Sequence, residues 1–476
     1  MTEKITFNID KEKNFSEWYS EILDKAEITD LRYNVKGFVV IRPLGAEIIE
    51  QIYKMWEAEL KAKGHKPCIF PAIIPEKNFK KESSHVEGFS PEVFWLEEIG
   101  EGKMALRPTS ETAFYQLYSL WIRSYRDLPL KLYQRANVFR LETKATRPLI
   151  RAREFFWIES HDAFSSKEQA EAQVQEDISI TENLMHQKLG IPFLPLKRPF
   201  WDKFHGAEYT IGSDVLMPDG KVIQQPSTHL LHQEFAKSFD IKFKDDKGKE
   251  NYVWQTCYGP AMSRILASLI AIHGDNSGLV IPFCISPVQV IIVPIYKTEN
   301  KDKVIKKAEE IKKELEKEKI TAEIDNSEKK PGEKFYHWEM RGIPLRIEIG
   351  EKELKGKPTL FLRDTKERIK VNLKDIPKEG EKLDQRLREK SEKNFKTSME
   401  DCKNREEIKK ALENKKIAKC NFCSIEKEGE KCAETIEKEL GAFVRGTRHD
   451  KKEKASGKCI ICNKQAKEVI YIAKSY

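Results

Sequence analysis

Apolar residues recur along this chain with different rhythms in different segments. From Ala46 to Lys63 they return every three or four positions, the spacing that gathers side chains on one face of a helix. Between Leu130 and Glu142 the run LKLYQRANVFRLE alternates instead, and period two puts Arg140 and Glu142 on one face of a predicted strand, with Phe139 and Leu141 on the other. Arg151 to His161 (RAREFFWIESH) repeats that rhythm, so Arg151, Arg153, Phe155, Trp157, Glu159 and His161 are expected to share a face. Thr256 to Asp275 reads as a short strand, a Gly-Pro turn and an apolar helix with one arginine, Arg264, near its start.

The same pattern divides the chain into three. Trp18 to Asp275 mixes helical and β-like runs and reads as one large α+β domain. A proline-punctuated link follows. Then come an apolar run, Val288 to Ile295, a lysine-rich helical stretch, Asp302 to Lys319, a short run at Ile320 to Ile324 and a second apolar run, Pro344 to Ile349. Strands alternating with a helix predict a small βαβ-type domain. The remainder opens with a charged helical stretch and ends in paired cysteines. Domain limits are expected at 1–282, 283–378 and 379–476.

Composition changes this picture little. Hydrophobic residues make up 39% and charged residues 34%, which excludes a disordered or fibrous chain. Net charge is +8, from 85 basic and 77 acidic residues, a balance that permits nucleic acid without demanding it. The longest apolar runs, Ile265 to Ile272 and Leu279 to Ile285, stop far short of the roughly 18–20 residues a membrane helix needs, so no membrane is expected as a partner. Charges fill MTEKITFNIDKEKNF where a secretory segment would be apolar, and a reducing cytoplasmic setting is expected.

The nine cysteines are unevenly placed. Cys68, Cys257 and Cys284 stand alone in apolar contexts and read as buried thiols. Cys402, Cys420, Cys423, Cys432, Cys459 and Cys462 crowd the C-terminal end, which points to metal before disulfides. Cys420-x-x-Cys423 and Cys459-x-x-Cys462 form two pairs with Cys432 between them. That leaves five candidates for the four tetrahedral ligands zinc takes, and spacing alone selects the two pairs.

Candidate chemistry lies in the first domain. Trp157 among charges on one strand face is an expensive surface and an ordinary pocket wall. In Ala105 to Thr112 (ALRPTSET), a proline-broken turn sets Thr109 and Glu111 two apart, either a hydroxyl and carboxylate placed side by side or a helix N-cap. Arg264 at a helix N-terminus suits a phosphate, since dipole and guanidinium act together; a structural arginine with its stem packed remains the alternative.

Taken together these segments resemble the class II aminoacyl-tRNA synthetases, and among them the prolyl type found in archaea and eukaryotes. The likeness rests on VKGFVVIRPLG to CIFPAIIP (Val35 to Pro75, similar to the family's motif 1), RPTSE (Arg107 to Glu111), the FRLET and RPLIRAREFFWIESH runs (Phe139 to His161), WDKFHGAEYT (Trp201 to Thr210) and QQPSTHLLHQEF (Gln224 to Phe235). It implies an antiparallel-sheet catalytic domain, an α/β anticodon-binding domain and a small C-terminal zinc-binding domain. It implies ATP-dependent attachment of L-proline to tRNA(Pro) through prolyl-adenylate, and a homodimer formed through motif 1.

Residue by residue, the resemblance gives Arg140 the α-phosphate and the substrate carboxylate, and with Arg264 the catalytic role. Glu142 takes the adenine amino group, and Arg151 and Arg264 take the outer phosphates, bridged by Mg²⁺. Gln224 and Ser227 complete the ATP contacts. Thr109 and Glu111 anchor the proline ammonium, while Trp157, Glu159, His161 and His229 shape the pocket around the ring. Glu339 and Arg346 are the anticodon candidates. For Zn²⁺, the family pattern favours Cys423, Cys432, Cys459 and Cys462, with Cys420 spare. Two departures stand out: Ser227 replaces the usual Thr, and Ala261 replaces a Gly. The interval from His161 to Asn251 is too short for a large editing insertion.

Overall fold

Asn14 caps the helix Phe15–Lys25 by accepting from the backbone of Glu17, and this helix buries Phe15, Trp18, Tyr19, Ile22 and Leu23. Pro43 opens the next long helix, Pro43–Ala62, where a missing N–H costs nothing. Its buried face, Ile48, Ile49, Ile52, Tyr53, Trp56 and Leu60, packs on the apolar helix Met262–His273, and all three helices share one core with the back of the main sheet. The computed structural model describes residues 7–80, 93–96, 102–142 and 145–476.

Among the described residues the largest sheet has eleven strands. Its catalytic part runs Leu194–Lys197, Tyr209–Leu216, Lys221–His232, Trp254–Gly259, Glu154–Phe164 and Leu130–Phe139, each antiparallel to the next. The short strand Lys66–Pro67 adds in parallel at one edge. At the other edge the C-terminal segment continues the same sheet. Phe443–Arg448 pairs with Leu194–Lys197, and Glu468–Ser475 follows, then Ile417–Phe422 and Met399–Asp401. Pattern and composition gave no sign of this continuity.

Alternation overran the strands at one end. The expected Leu130-to-Glu142 strand stops at Phe139, and the expected Arg151-to-His161 strand begins at Glu154 and runs on to Phe164. Pairing ends at Phe139 opposite Glu154, and beyond it the chain turns: Glu142 N donates to Arg140 O at 2.7 Å, and Arg151 N to Arg147 O at 2.9 Å. Arg140, Glu142 and Arg151 therefore sit on a loop rather than on strand faces. Thr143 and Lys144 of that loop lie outside the described residues.

The second domain has a five-stranded sheet ordered Ala322–Ile324, Val290–Pro294, Leu345–Ile349, Thr359–Leu362, Arg368–Lys370. Its first three strands are parallel, with helix Lys301–Lys317 crossing between the first two in sequence. That is the expected βαβ unit, with an antiparallel edge added.

Candidate active site

Strand alternation, interrupted by a bulge between Gln224 and Ser227, builds the floor of a cavity on one face of the catalytic sheet. Trp157, Glu159 and His161 point into it from one strand, Gln224, Ser227 and His229 from another, and Cys257 and Gly259 from a third. Thr109 and Glu111 enter from the start of helix Glu111–Trp121, and Arg140 and Arg264 close one end. Ten of the predicted site residues thus line one cavity. Glu142 and Arg151 lie beside it, their side chains 3.6 Å apart as an ion pair.

At the deep end the polar groups are fully engaged. Glu159 accepts from Ser110 N at 3.1 Å and from Gln134 Nε2 at 3.1 Å, and it lies 3.3 Å from Thr109 Oγ1 and from His161 Nε2. Burial opposes charge on Glu159, yet His161, Ser110 and Arg107 hold its carboxyl down at about 2. Burial likewise opposes charge on His161, and Glu159 and Glu111 outweigh it, raising the imidazole above its ordinary value. Thr109 Oγ1 donates to Glu111, so hydroxyl and carboxylate do stand side by side. The result is a buried recess with two carboxylates around one imidazole, suited to a small cation.

His229 differs. Burial, then Arg198, His161 and Arg140, push it down to about 3, so it is neutral, with Thr210 Oγ1 at 2.8 Å from Nδ1 and Ser227 Oγ at 3.0 Å from Nε2. Ser227, one of the two departures, is thereby used.

The open end is cationic. Arg264 Nε donates to Ile150 O at 3.1 Å and its Nη1 to Gln224 O at 3.2 Å. Burial first, then Arg140 and Arg151, lower it to about 10, with Glu142 opposing the shift. Guanidinium groups gathered at one end of a cavity suit an anion such as a phosphate or carboxylate. Arg140 lies over the Trp157 ring at 5.8 Å. Arg151 donates to the backbone oxygen of the last residue, Tyr476, at 2.7 Å, while the Tyr476 hydroxyl donates to Asp219 at 2.7 Å. Ala261 is at home here: its φ of −93° asks for no glycine. Gly259 is the residue that must stay small, since a Cβ there would come within 2.6 Å of Trp157.

Several site residues escaped sequence reasoning. Cys257, expected only as a buried thiol, also lines the cavity; strand alternation from Gly259 could have placed it there. Ser110, inside the RPTSE run but given no role there, and Gln134 hold Glu159. Of the other lone cysteines, Cys284 is exposed rather than buried.

Two further clusters lie away from the cavity. Cys423, Cys432, Cys459 and Cys462 bring their sulfurs within 4.8 Å of one another, whereas Cys420, also buried, is not in the group. In the second domain Arg346 is 2% exposed, sandwiched between the Phe335 and Phe361 rings at 4.0 Å each, and donates to Glu339 and Glu348 at 2.8 and 2.9 Å. Of the two anticodon candidates, Arg346 is thus the buried partner and Glu339 the more exposed one.

Three family models match the chain. They are described as tRNA synthetase class II core domain (G, H, P, S and T) over residues 94–273, anticodon binding domain over 289–383 and prolyl-tRNA synthetase, C-terminal, over 405–476. The proline–tRNA ligase of Thermofilum pendens is 48% identical over 480 residues, covering 98% of each chain. That of Methanopyrus kandleri is 41% identical over 473 residues, covering 97% of this chain and 96% of its own. Among solved structures, Giardia lamblia prolyl-tRNA synthetase in complex with prolyl-adenylate superposes with a TM-score of 0.94 at 36% identity, covering 99% of this chain and all of that one. With a cavity that offers carboxylates at one end and arginines at the other, and relatives alike over nearly their full length, the chain belongs to the prolyl-tRNA synthetases.

Proposed function

We propose that the cavity joins L-proline to tRNA(Pro) in two steps. Proline and ATP give prolyl-adenylate and pyrophosphate, and the prolyl group then passes to the terminal ribose of the tRNA. One observation carries this reading: a recess lined by the carboxylates of Glu111 and Glu159 lies in the same cavity as Arg140 and Arg264. A substrate lying between them has its ammonium at Glu111 and Thr109 and its carboxylate at Arg140. The ring then rests among Trp157, Glu159, His161 and His229.

The attacking carboxylate is already ionised, so the first step needs no general base. Its barrier is lowered by holding the two reactants in line and by neutralising the charge that builds at the α-phosphorus. Arg140 is assigned both tasks. Glu142 takes the adenine amino group, and Arg151, Gln224, Ser227 and Arg264 hold the nucleotide. Mg²⁺, when bound, neutralises the outer phosphates.

The four clustered thiols fit Zn²⁺, because four converging sulfurs with no open position make a closed structural site. Glu339, braced by Arg346, is assigned to the anticodon, where a carboxylate accepts from the N1 and N2 groups of guanine. The division at 1–282, 283–378 and 379–476 stands as the working domain limits. A homodimer through Val35 to Pro75 is supported by the apolar side chains exposed there, Val35, Val40 and Ile69, the last 95% exposed. Among the described residues no helix is long and apolar enough to cross a membrane, and the cytoplasm is the compartment proposed for this translation enzyme.

Amino-acid-dependent exchange of pyrophosphate into ATP, run with all twenty amino acids, tests the reading. Exchange with proline far above the rest is expected; silence with proline would overturn it.

A further inference from the structure

The C-terminal domain reaches the active site through a buried charge relay. Asp214 is 0% exposed, and two arginines grip its carboxylate. Arg198, 1% exposed, donates Nη1 to Oδ2 at 3.0 Å and Nη2 to Oδ1. Arg445, from the C-terminal strand Phe443–Arg448, donates Nε to Oδ2 at 2.7 Å and Nη2 to Oδ1 at 3.1 Å. The two arginines are also tied directly, Arg198 Nη1 donating to Arg445 O at 2.8 Å. The backbone is shaped for this contact. Gly446 takes a φ of +122°, and a Cβ there would lie 2.0 Å from Lys197 O.

The relay ends on a cavity residue. Arg198 Nη2 donates to Gln224 Oε1 at 3.1 Å, and Gln224 faces Asp214 across the antiparallel pair. An arginine has donors and no acceptor, so only the amide oxygen of Gln224 can face it. The amide NH₂ is thereby left to donate elsewhere, and Gln224 lines the cavity. Without the relay the amide could rotate and offer either end.

We propose that Arg445 is a positioning residue for adenylate formation: through Asp214 and Arg198 it fixes the Gln224 amide as a donor toward the nucleotide, so the C-terminal domain completes the active site. This rests on the assignment of Gln224 to ATP given above.

A double-mutant cycle on the full chain tests it, reading KM for ATP and for proline in pyrophosphate exchange, with zinc content and Tm alongside. Arg445→Leu is expected to raise KM for ATP about tenfold with little change in KM for proline. Arg445→Lys, which keeps the charge but not the fork, should recover part of the loss and serves if the leucine variant does not fold. In a Gln224→Ala background either substitution should add almost nothing, because the group it positions is gone. Additive losses, or equal rises in both KM values that track Tm, would overturn the relay while leaving Gln224 in place. An unchanged KM for ATP in Gln224→Ala alone would overturn the assignment of Gln224, and the proposal with it.

Discussion

Arg140 carries the largest single burden at the residue scale. It stands at the junction of recess and arginine cluster, over Trp157. Arg140→Ala is expected to slow adenylate formation by about 10²-fold or more, the scale seen when one charge-stabilising donor is lost. Near-normal exchange would remove it from the site. A second residue-scale expectation lies behind the sheet, where His65 and Asp162 pair at 3.3 Å and Asp177 accepts from Thr228 at 2.6 Å and Gln173 at 2.8 Å. Burial and then Asp162 raise Asp177 from 3.8 to about 7. A raised carboxyl holds a proton in the fold that the unfolded chain has released, so its contribution is full below 3.8 and lost as pH rises through about 7. In Asp177→Asn, Tm relative to the parent should climb across that window and level off above it; parallel curves would contradict the assignment. Individual residues were legible where they sat in long motifs. They were not where they act through another side chain, as Ser110 and Gln134 do on Glu159.

Elements were predicted well where one face is apolar and the other polar. The helix expected from Ala46 runs Pro43–Ala62, and the lysine-rich stretch forms Lys301–Lys317, because burial selects one register. Alternation cannot say where partners end, and so it predicts strands through Glu142 and from Arg151 where pairing stops at Phe139 and starts at Glu154. Nor can it say which strand a distant segment joins, which is why the union of Phe443–Arg448 with Leu194–Lys197 was invisible. That union depends on Gly446. Gly446→Ala is expected to cost at least roughly 1–3 kcal/mol from backbone strain alone, read as a lowered Tm. In the second domain, Glu339→Ala should leave proline activation intact and weaken tRNA charging, since Arg346 keeps Glu348 as a partner. Equal loss in both assays would make Glu339 structural.

Across the whole molecule, the catalytic and C-terminal parts form one sheet, and the cysteine cluster lies at the C-terminal end of it. Ile425, two residues beyond Cys423, accepts from Phe200 N at 2.8 Å, and Trp201 packs on the cluster's core, beside the loop that brings Asp202 and Phe204 to the cavity. Zinc is therefore expected to be lost in Cys432→Ser and kept in Cys420→Ser by metal analysis; the reverse would select the two CxxC pairs. Spacing favours those pairs and the family resemblance favours Cys432 over Cys420; in the fold Cys432 lies against Cys423, sulfur to sulfur at 3.7 Å. The account as a whole stands on one reaction, and charging is its most direct test. Incubated with ATP, labelled proline and a tRNA(Pro) transcript, the full chain should yield an alkali-labile prolyl ester that a transcript with its anticodon guanines replaced forms far more slowly. No ester, or one formed as readily with an unrelated tRNA, would contradict it.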